Sequence, residues 1–401
     1  MRDFVAPYAG ARCLWAGCNP YDPDEMHREF ARAGGGENDH PKWSWSPPVY
    51  PPSSLVVLLP VSLLRYPAAR DVWRVLDDVL LTCGLLIVAA FVPRKRRAWV
   101  LLLGIAVLAS EPAALLFNIG QPSGVALGLA AIAALCLLHR RSVTAGWICL
   151  GLALALKPQV AGAVWIVLAW WPASRKPAIK AAMLAVALLL VGCVWLSLAP
   201  GARGWYSAMH AAVEGSLATG AVNDPSPANP GAYQFTNLQA VFATWIESRR
   251  IYNGLAYAIG GALLAAWIVL MRRVGSSRRA WMLSLAAMAA IALLPVYHRE
   301  YDVALLMFSF PAMVSLVLAR RLAGFAALAC TAVLLVTPHL HHRWNDAVLQ
   351  MRVAPSITSP HLRVLLFFRQ QPVLLLALAL IYLAALAALR RENAIATDVP
   401  V

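Results

Sequence analysis

Carboxylates that can take a proton, and cations that can hold an anion, recur in this chain where neither is common. Asp3 stands beside an aromatic in Arg2-Asp3-Phe4, and Asp22 follows in Asn19-Pro20-Tyr21-Asp22. Lys157 sits between two apolar runs in Leu156-Lys157-Pro158-Gln159, and Tyr297-His298-Arg299-Glu300-Tyr301-Asp302 is a polar hexad between two others. Glu111, Asn118 and Gln121 border another outer turn, Tyr50 precedes Pro51-Pro52, and Asn237 and Gln239 open a later segment. Polar residues held at or near a bilayer are functional candidates by default. A carboxylate base near Lys, Arg or His suits a displacement in which a hydroxyl loses its proton while negative charge grows on a leaving group. Each group also has a plainer reading. An acid near a chain start is usually solvated, a lone lysine snorkels to the interface, and His298-Arg299 can cap helix ends.

These groups are set in a chain that water cannot cover. Of its 401 residues 60% are hydrophobic and 13% charged, about half the charge of a soluble domain. The net charge of +15 would suit nucleic acid, but the cations are placed otherwise. They gather in Arg94-Lys95-Arg96-Arg97, Arg140-Arg141, Arg175-Lys176, Arg272-Arg273 with Arg278-Arg279, Arg320-Arg321 and Arg390-Arg391, each beside an apolar run. That is the pattern that orients membrane helices with cations on the cytoplasmic side. No nucleic-acid partner is expected.

Apolar runs of spanning or near-spanning length occupy 71–92, 98–117, 124–138, 143–156, 160–172, 178–198, 251–271, 280–296, 303–319, 322–337 and 373–389. They predict an all-α polytopic membrane protein of about 11 transmembrane helices. Residues 1–70 are expected as an extracytoplasmic loop region with interfacial helices, 71–198 as a first bundle and 199–250 as a large extracytoplasmic loop. A second bundle follows over 251–337, an extracytoplasmic loop over 338–372, and a last helix with a cytoplasmic tail over 373–401. In 199–250, Trp205, Tyr206 and Met209, and later Leu238, Val241, Phe242 and Trp245, have helical spacing with aromatic anchors, as interfacial helices do. Nothing before residue 70 would carry that basic segment across, so the natural chain is expected to start upstream of Met1 with one more helix. Cys13 and Cys18, in the outer segment, are candidates for a disulfide.

The ordered motifs resemble glycosyltransferase family 87, polytopic enzymes of the GT-C fold that use polyprenyl-phosphate sugars. The resemblance runs from Asp3-Phe4, Tyr8-Ala9-Gly10-Ala11-Arg12 and Gly17-Cys18-Asn19-Pro20-Tyr21-Asp22 through Tyr50-Pro51-Pro52 and Leu58-Leu59-Pro60. It continues with Gly120-Gln121, Ala145-Gly146, Leu156-Lys157-Pro158-Gln159, Asn237-Leu238-Gln239 and Tyr301-Asp302. It implies a GT-C-like bundle in a bacterial plasma membrane, long loops outside and the carboxyl terminus in the cytoplasm. The implied reaction moves a mannose- or arabinofuranose-like sugar from a polyprenyl-phosphate donor to an envelope glycan or glycolipid. By analogy the acid of the first outer loop, Asp3, is the catalytic base. The chain departs from the family in lacking the helix before that acid, in reading Asn-Leu-Gln for Asn-Gln-Ser, and in its His-Arg-Glu-Tyr-Asp run.

On this reading Lys157, His298 and Arg299 hold the donor phosphate, and Tyr50, Asn118, Gln121, Asn237 and Asp302 contact substrate. A phosphate leaving group needs no strong acid, so one base gives displacement with inversion, unlike paired-carboxylate hydrolysis. The His339, His341 and His342 cluster has irregular spacing for a metal, and neither metal nor cofactor is expected. The rival from another class is a transporter or flippase, which would show repeat symmetry and midplane polar groups. No internal repeat is visible here.

Overall fold

The structure, a computed structural model, describes residues 2–36, 49–139, 142–275, 277–349 and 360–397. Among these residues it is built of helices, and β pairing is confined to two isolated bridges, Cys18 with Gly201 and Phe235 with Arg299. The first helices are α1 (Arg2–Ala16), α2 (Pro23–Arg32), α3 (Pro52–Ser62) and α4 (Tyr66–Ala90). Then come α5 (Arg97–Leu108), α6 (Glu111–Ile119), α7 (Ser123–Leu138), α8 (Val143–Leu156), α9 (Pro158–Trp170), α10 (Pro172–Leu198), α11 (Trp205–Ser216) and α12 (Leu238–Phe242). Next are α13 (Arg249–Val274), α14 (Arg278–Ala292), a 3-10 segment (Glu300–Ser309), α15 (Phe310–Leu318), α16 (Leu322–Leu349), α17 (Pro360–Phe368) and α18 (Gln370–Thr397). Prolines set the starts of α2, α3, α9 and α10. In the first turn the missing N–H is not needed for the helix ladder.

The expected count of about eleven spans is not met helix by helix. Among the described residues, four helical segments are long and apolar enough to cross a bilayer: Pro172–Leu198, Arg249–Val274, Glu300–Leu318 and Gln370–Arg390. The pair Arg94–Leu108 and Glu111–Ile119, bent by 59°, makes a fifth if it is one broken span. The difference arises where apolar runs are cut by prolines. The runs at 124–138, 143–156 and 160–172 form α7, α8 and α9, of 16, 14 and 13 residues. At 1.5 Å per residue these reach about 20–24 Å, short of a hydrocarbon core of roughly 30 Å. Helix α4 is long enough, but Arg70, Asp71, Arg74, Asp77 and Asp78 lie on it. Helix α16 continues to Leu349, where a loop was expected from residue 338. The side chains of His339, His341 and His342, with residues 350–359 and the Arg140-Arg141 pair, lie outside the described residues. The first piece read as an interfacial helix lies in α11; of the second, Leu238–Phe242 forms α12 and Trp245 lies beyond its end. The protein is an all-α membrane protein.

The chain packs as two compact units, Met1–Gly84 with Leu115–Ala218, and Leu85–Ala114 with Thr219–Val401. In the first, an aromatic cluster seats α1. The Phe4 ring stacks on Trp73 of α4 at 5.2 Å, Tyr8 meets Tyr66 at 5.4 Å, and Phe30 of α2 meets Tyr66 at 4.6 Å. Cys13 and Cys18 are joined by a disulfide at the end of α1. Helix α4 comes very close to α7: a Cβ on Gly128 would lie 2.3 Å from the Leu80 carbonyl oxygen, and one on Gly124 2.3 Å from Asp77 Oδ1. In the second unit, α14 is buried along nearly its whole length. Trp267 of α13 donates to Ser284 Oγ of α14 at 3.1 Å, and Trp281 meets Phe91 edge-on at 4.9 Å.

The close approach of α4 and α7 yields a prediction. Gly128→Ala must push the two helices apart, and the overpacking should cost about 1–3 kcal/mol. Thermal unfolding of the purified protein in detergent measures it. An unchanged midpoint would mean that the helices part freely.

Candidate functional site

The first unit brings together three distant pieces of sequence. Helix α1 carries Asp3 in its first turn. A tight turn before α7, with Gly120 at φ +73°, presents Gln121 and Ser123. The third piece is the break between α8 and α9, where Lys157 takes φ −149° and ψ 79° and Pro158 starts the next helix. Proline cannot donate to the ladder, so the helix cannot run through. The freed carbonyls at the end of α8 find other donors: Ser53 Oγ donates to the Ala155 oxygen at 2.9 Å, and Ser54 Oγ to the Leu156 oxygen at 2.9 Å. Helix α3 thus steadies the break, and Lys157 sits at the C-terminal end of α8, where a cation is favoured.

Gln121 joins these pieces. Its Nε2 donates to Asp3 Oδ2. Its Oε1 accepts from Tyr50 Oη at 3.2 Å and from Lys157 Nζ at 3.3 Å. Lys157 Nζ also donates to Ser123 Oγ. Tyr50 is held in turn through its carbonyl, which accepts from Tyr21 Oη at 2.9 Å. Gln121, Ser123 and Lys157 are buried, whereas Asp3 and Tyr50 are partly open. One amide therefore bridges a carboxylate that solutes can reach and an ammonium that is 3% exposed. Of the sequence candidates, Asp3, Tyr50, Gln121 and Lys157 form one network. Asn118 lies exposed near the end of α6. Ser123 was missed, because a lone serine before an apolar helix carries no signal beyond an ordinary helix start.

The second unit holds the remaining candidates. His298 Nδ1 and Asp302 Oδ2 are 3.0 Å apart, both groups buried. The backbone around them is tied to the segment before α12: Thr236 N–H donates to the His298 carbonyl at 3.1 Å, and Gln239 Nε2 to the Pro295 carbonyl at 2.6 Å. Asn237 is buried at the start of α12. Arg299 donates to Tyr297 Oη at 2.5 Å, Gln234 Oε1 at 3.0 Å and the Val222 carbonyl at 2.6 Å, with its guanidinium 5.3 Å from the centre of the Phe235 ring. These bonds pin the 219–236 segment. Buried Arg369 pins it again through the carbonyls of Ala232 and Pro225. Burial pulls the Arg369 guanidinium down to about 10, with Asp224 acting in the opposite sense. Glu300, named within the hexad but given no role by the sequence, is buried in the same region. It acts electrostatically on Tyr233, whose phenol is pushed up first by burial and then by that carboxylate. Among the described residues no three His, Cys, Asp or Glu side chains gather as a metal ion would require.

An all-α membrane protein in which a carboxylate and a buried ammonium share one amide partner is the class defined by this fold and this network. Within it, the chain belongs to glycosyltransferase family 87, whose model matches residues 49–295, more than half its length. It is a membrane glycosyltransferase, working on a sugar donor and an acceptor. Tyr50, Asn118, Gln121, Lys157 and Asn237 lie inside the matched stretch; Asp3 and residues 298–302 lie outside it. No curated protein and no solved structure matches the chain.

The Arg299 geometry can be tested by Arg299→Lys. A single ammonium cannot reproduce the planar guanidinium fork, and the loss should destabilise the 219–236 segment by about 1–3 kcal/mol. Limited proteolysis should then show new, faster cleavage within that segment. An unchanged digest would free Arg299 for a ligand.

Proposed function

We propose that this protein transfers a sugar from a polyprenyl-phosphate donor to an envelope glycan or glycolipid, on the extracytoplasmic side of a bacterial plasma membrane. Asp3 takes the proton of the acceptor hydroxyl as its oxygen attacks the anomeric carbon. The bond from that carbon to the phosphate oxygen breaks, and polyprenyl phosphate leaves with the electron pair. One displacement of this kind inverts the anomeric centre. Lys157 holds the charge that grows on the phosphate. The observation that carries this reading is the Asp3–Gln121–Lys157 link. It holds a carboxylate and an ammonium two hydrogen bonds apart, the first partly open and the second buried, which supports giving them the roles of base and cation. The Cys13–Cys18 disulfide supports an outward placement of α1, since disulfides persist in oxidising compartments. The sequence also offers His298 and Arg299 to the phosphate, and the donor or acceptor to Tyr50, Asn118, Asn237 and Asp302.

A second reading is favoured by one observation. Helices broken around a buried charged residue, as α8 and α9 are at Lys157, are how many transporters bind anionic substrates. A flippase or transporter for a lipid-linked substrate would use the same ammonium without a base.

Transfer of radiolabel from polyprenyl-phosphate sugars in membranes separates the two. Asp3→Asn should lower transfer by about 10²–10⁴-fold, the usual worth of a general base, with the yield of folded protein retained. Sustained turnover in that variant would exclude Asp3 as the base. Lys157→Ala and His298→Ala should each weaken donor binding; a normal donor KM would remove the residue concerned from the site. A cysteine introduced in the 1–36 segment should react with an impermeant thiol reagent from outside the cell alone. Labelling from the cytosol would reverse the assigned side.

A further inference from the structure

Two of the basic runs between the apolar helices meet. Arg94-Lys95-Arg96-Arg97 follows α4, and Arg272-Arg273 and Arg278-Arg279 flank the turn from α13 to α14. Arg278 joins them across 187 residues: its Nε and Nη2 donate to the Phe91 carbonyl, just past the end of α4, at 3.1 and 2.8 Å. Carbonyls at a helix end have no donor from their own ladder, and a guanidinium fork can supply two N–H groups to one of them. Trp281, three residues further along α14, packs edge-on against the Phe91 ring. The start of α14 is thereby seated beside the 94–97 run.

Both runs stand at ends of membrane helices. Arg272 and Arg273 lie in the last turn of the candidate span Arg249–Val274, and the 94–97 run opens the first half of the bent pair. Arg94, Lys95, Arg97, Arg272 and Arg273 are exposed. The sequence has no Asp or Glu over 79–110 or over 248–299, so neither run carries an acid in its own segment. Orienting helices takes cations at their ends. It does not require two runs so distant in sequence to be brought side by side. Just beyond the 94–97 run, Trp99, Leu102 and Ile105 of α5 are each more than half exposed; three residues apart, they line one side of the helix. A phosphate anion suits the cations, and a hydrocarbon chain suits the stripe. Anionic phospholipid, which forms the leaflet around such a stripe, carries both.

We propose that the 94–97 run and Arg272-Arg273 bind the headgroup of an anionic phospholipid, with an acyl chain laid along Trp99, Leu102 and Ile105. The lipid ties the α4–α5 turn to the end of α13, reinforcing the bond that Arg278 makes. This stands apart from the glycosyltransfer reading, since no reacting group is involved.

The test uses the full chain in neutral detergent, with thermal unfolding as the readout. Micelles doped with phosphatidylglycerol should raise the midpoint by several degrees, and the same fraction of phosphatidylcholine by clearly less. The difference should shrink as salt rises from about 0.1 M to about 1 M, because the Debye length falls from about 10 Å to about 3 Å. Arg94→Gln with Arg97→Gln, and Arg272→Gln with Arg273→Gln, should each lose most of the phosphatidylglycerol gain. Lys176→Gln with Lys180→Gln, which remove two exposed cations from α10, should keep it. Equal gains from the two lipids, a gain indifferent to salt, or a control that loses as much as the other pairs would overturn the site. Inorganic pyrophosphate alone matching the lipid would make the occupant a soluble anion, and a larger gain from polyprenyl phosphate would make it a carrier lipid; either result overturns the proposal. Should the charge variants fail to insert, wild-type protein still decides. In native mass spectrometry it should keep phosphatidylglycerol in preference to phosphatidylcholine, and no preference between them would end the idea.

Discussion

One constraint organises the first unit: an ammonium has been placed inside an apolar bundle. Lys157 is 3% exposed, and a cation there is expensive unless polar groups surround it. The structure meets that cost by breaking a helix. Pro158 ends the ladder, the backbone unwinds at Lys157, and the liberated carbonyls of α8 are taken by Ser53 and Ser54 of α3. The same unwinding turns Nζ toward Ser123 and Gln121 on a second helix start. Two helix ends and a cation are therefore one device. Each would be unfavourable alone, and together they satisfy one another.

The second unit solves a different problem with similar means. Its polar residues steady a long connection, with Arg299 and Arg369 converging on carbonyls and amides of the 219–236 segment. Arginine suits this work because its planar fork reaches several acceptors at once. The buried His298–Asp302 pair lies next to that scaffold. Whichever ligand contacts these groups make, part of the hexad that reads as chemistry is spent on holding the chain.

Much of this was legible in the sequence, and the misses have physical causes. Lys157 announces itself as a lone cation between apolar runs, followed by proline. Gln121 and Tyr50 were singled out for substrate, yet their joining of Asp3 to Lys157 spans 118 residues between Asp3 and Gln121 and lies beyond any local pattern. Asp77 carries no such local signal, because the sequence displays neighbours along one helix and not the α7 backbone packed against it. The count of about eleven spans is not confirmed, for a related reason. Hydropathy sees apolar length, so α7, α8 and α9 each scored as a crossing although none is long enough to make one. The break between α8 and α9 was visible as Lys157-Pro158; the network that Lys157 joins there was not.

The unequal burial of the two ends of the network follows from what each must meet. In the proposed reaction the base must reach an acceptor that arrives with its hydroxyls hydrated, and Asp3, in the first turn of α1, is partly exposed. A cation that steadies a departing phosphate gains from the reverse. Away from water its field is less screened, and groups already oriented need not reorganise as charge develops. Gln121 suits the position between them because an amide both donates and accepts. It passes Nε2–H to the carboxylate and Oε1 to the ammonium, so rotating toward either one strains the other. A glutamate there would set two carboxylates against each other, and a leucine would leave both charges without a shared partner. The turn therefore ties a buried ammonium to a partly open carboxylate through one amide.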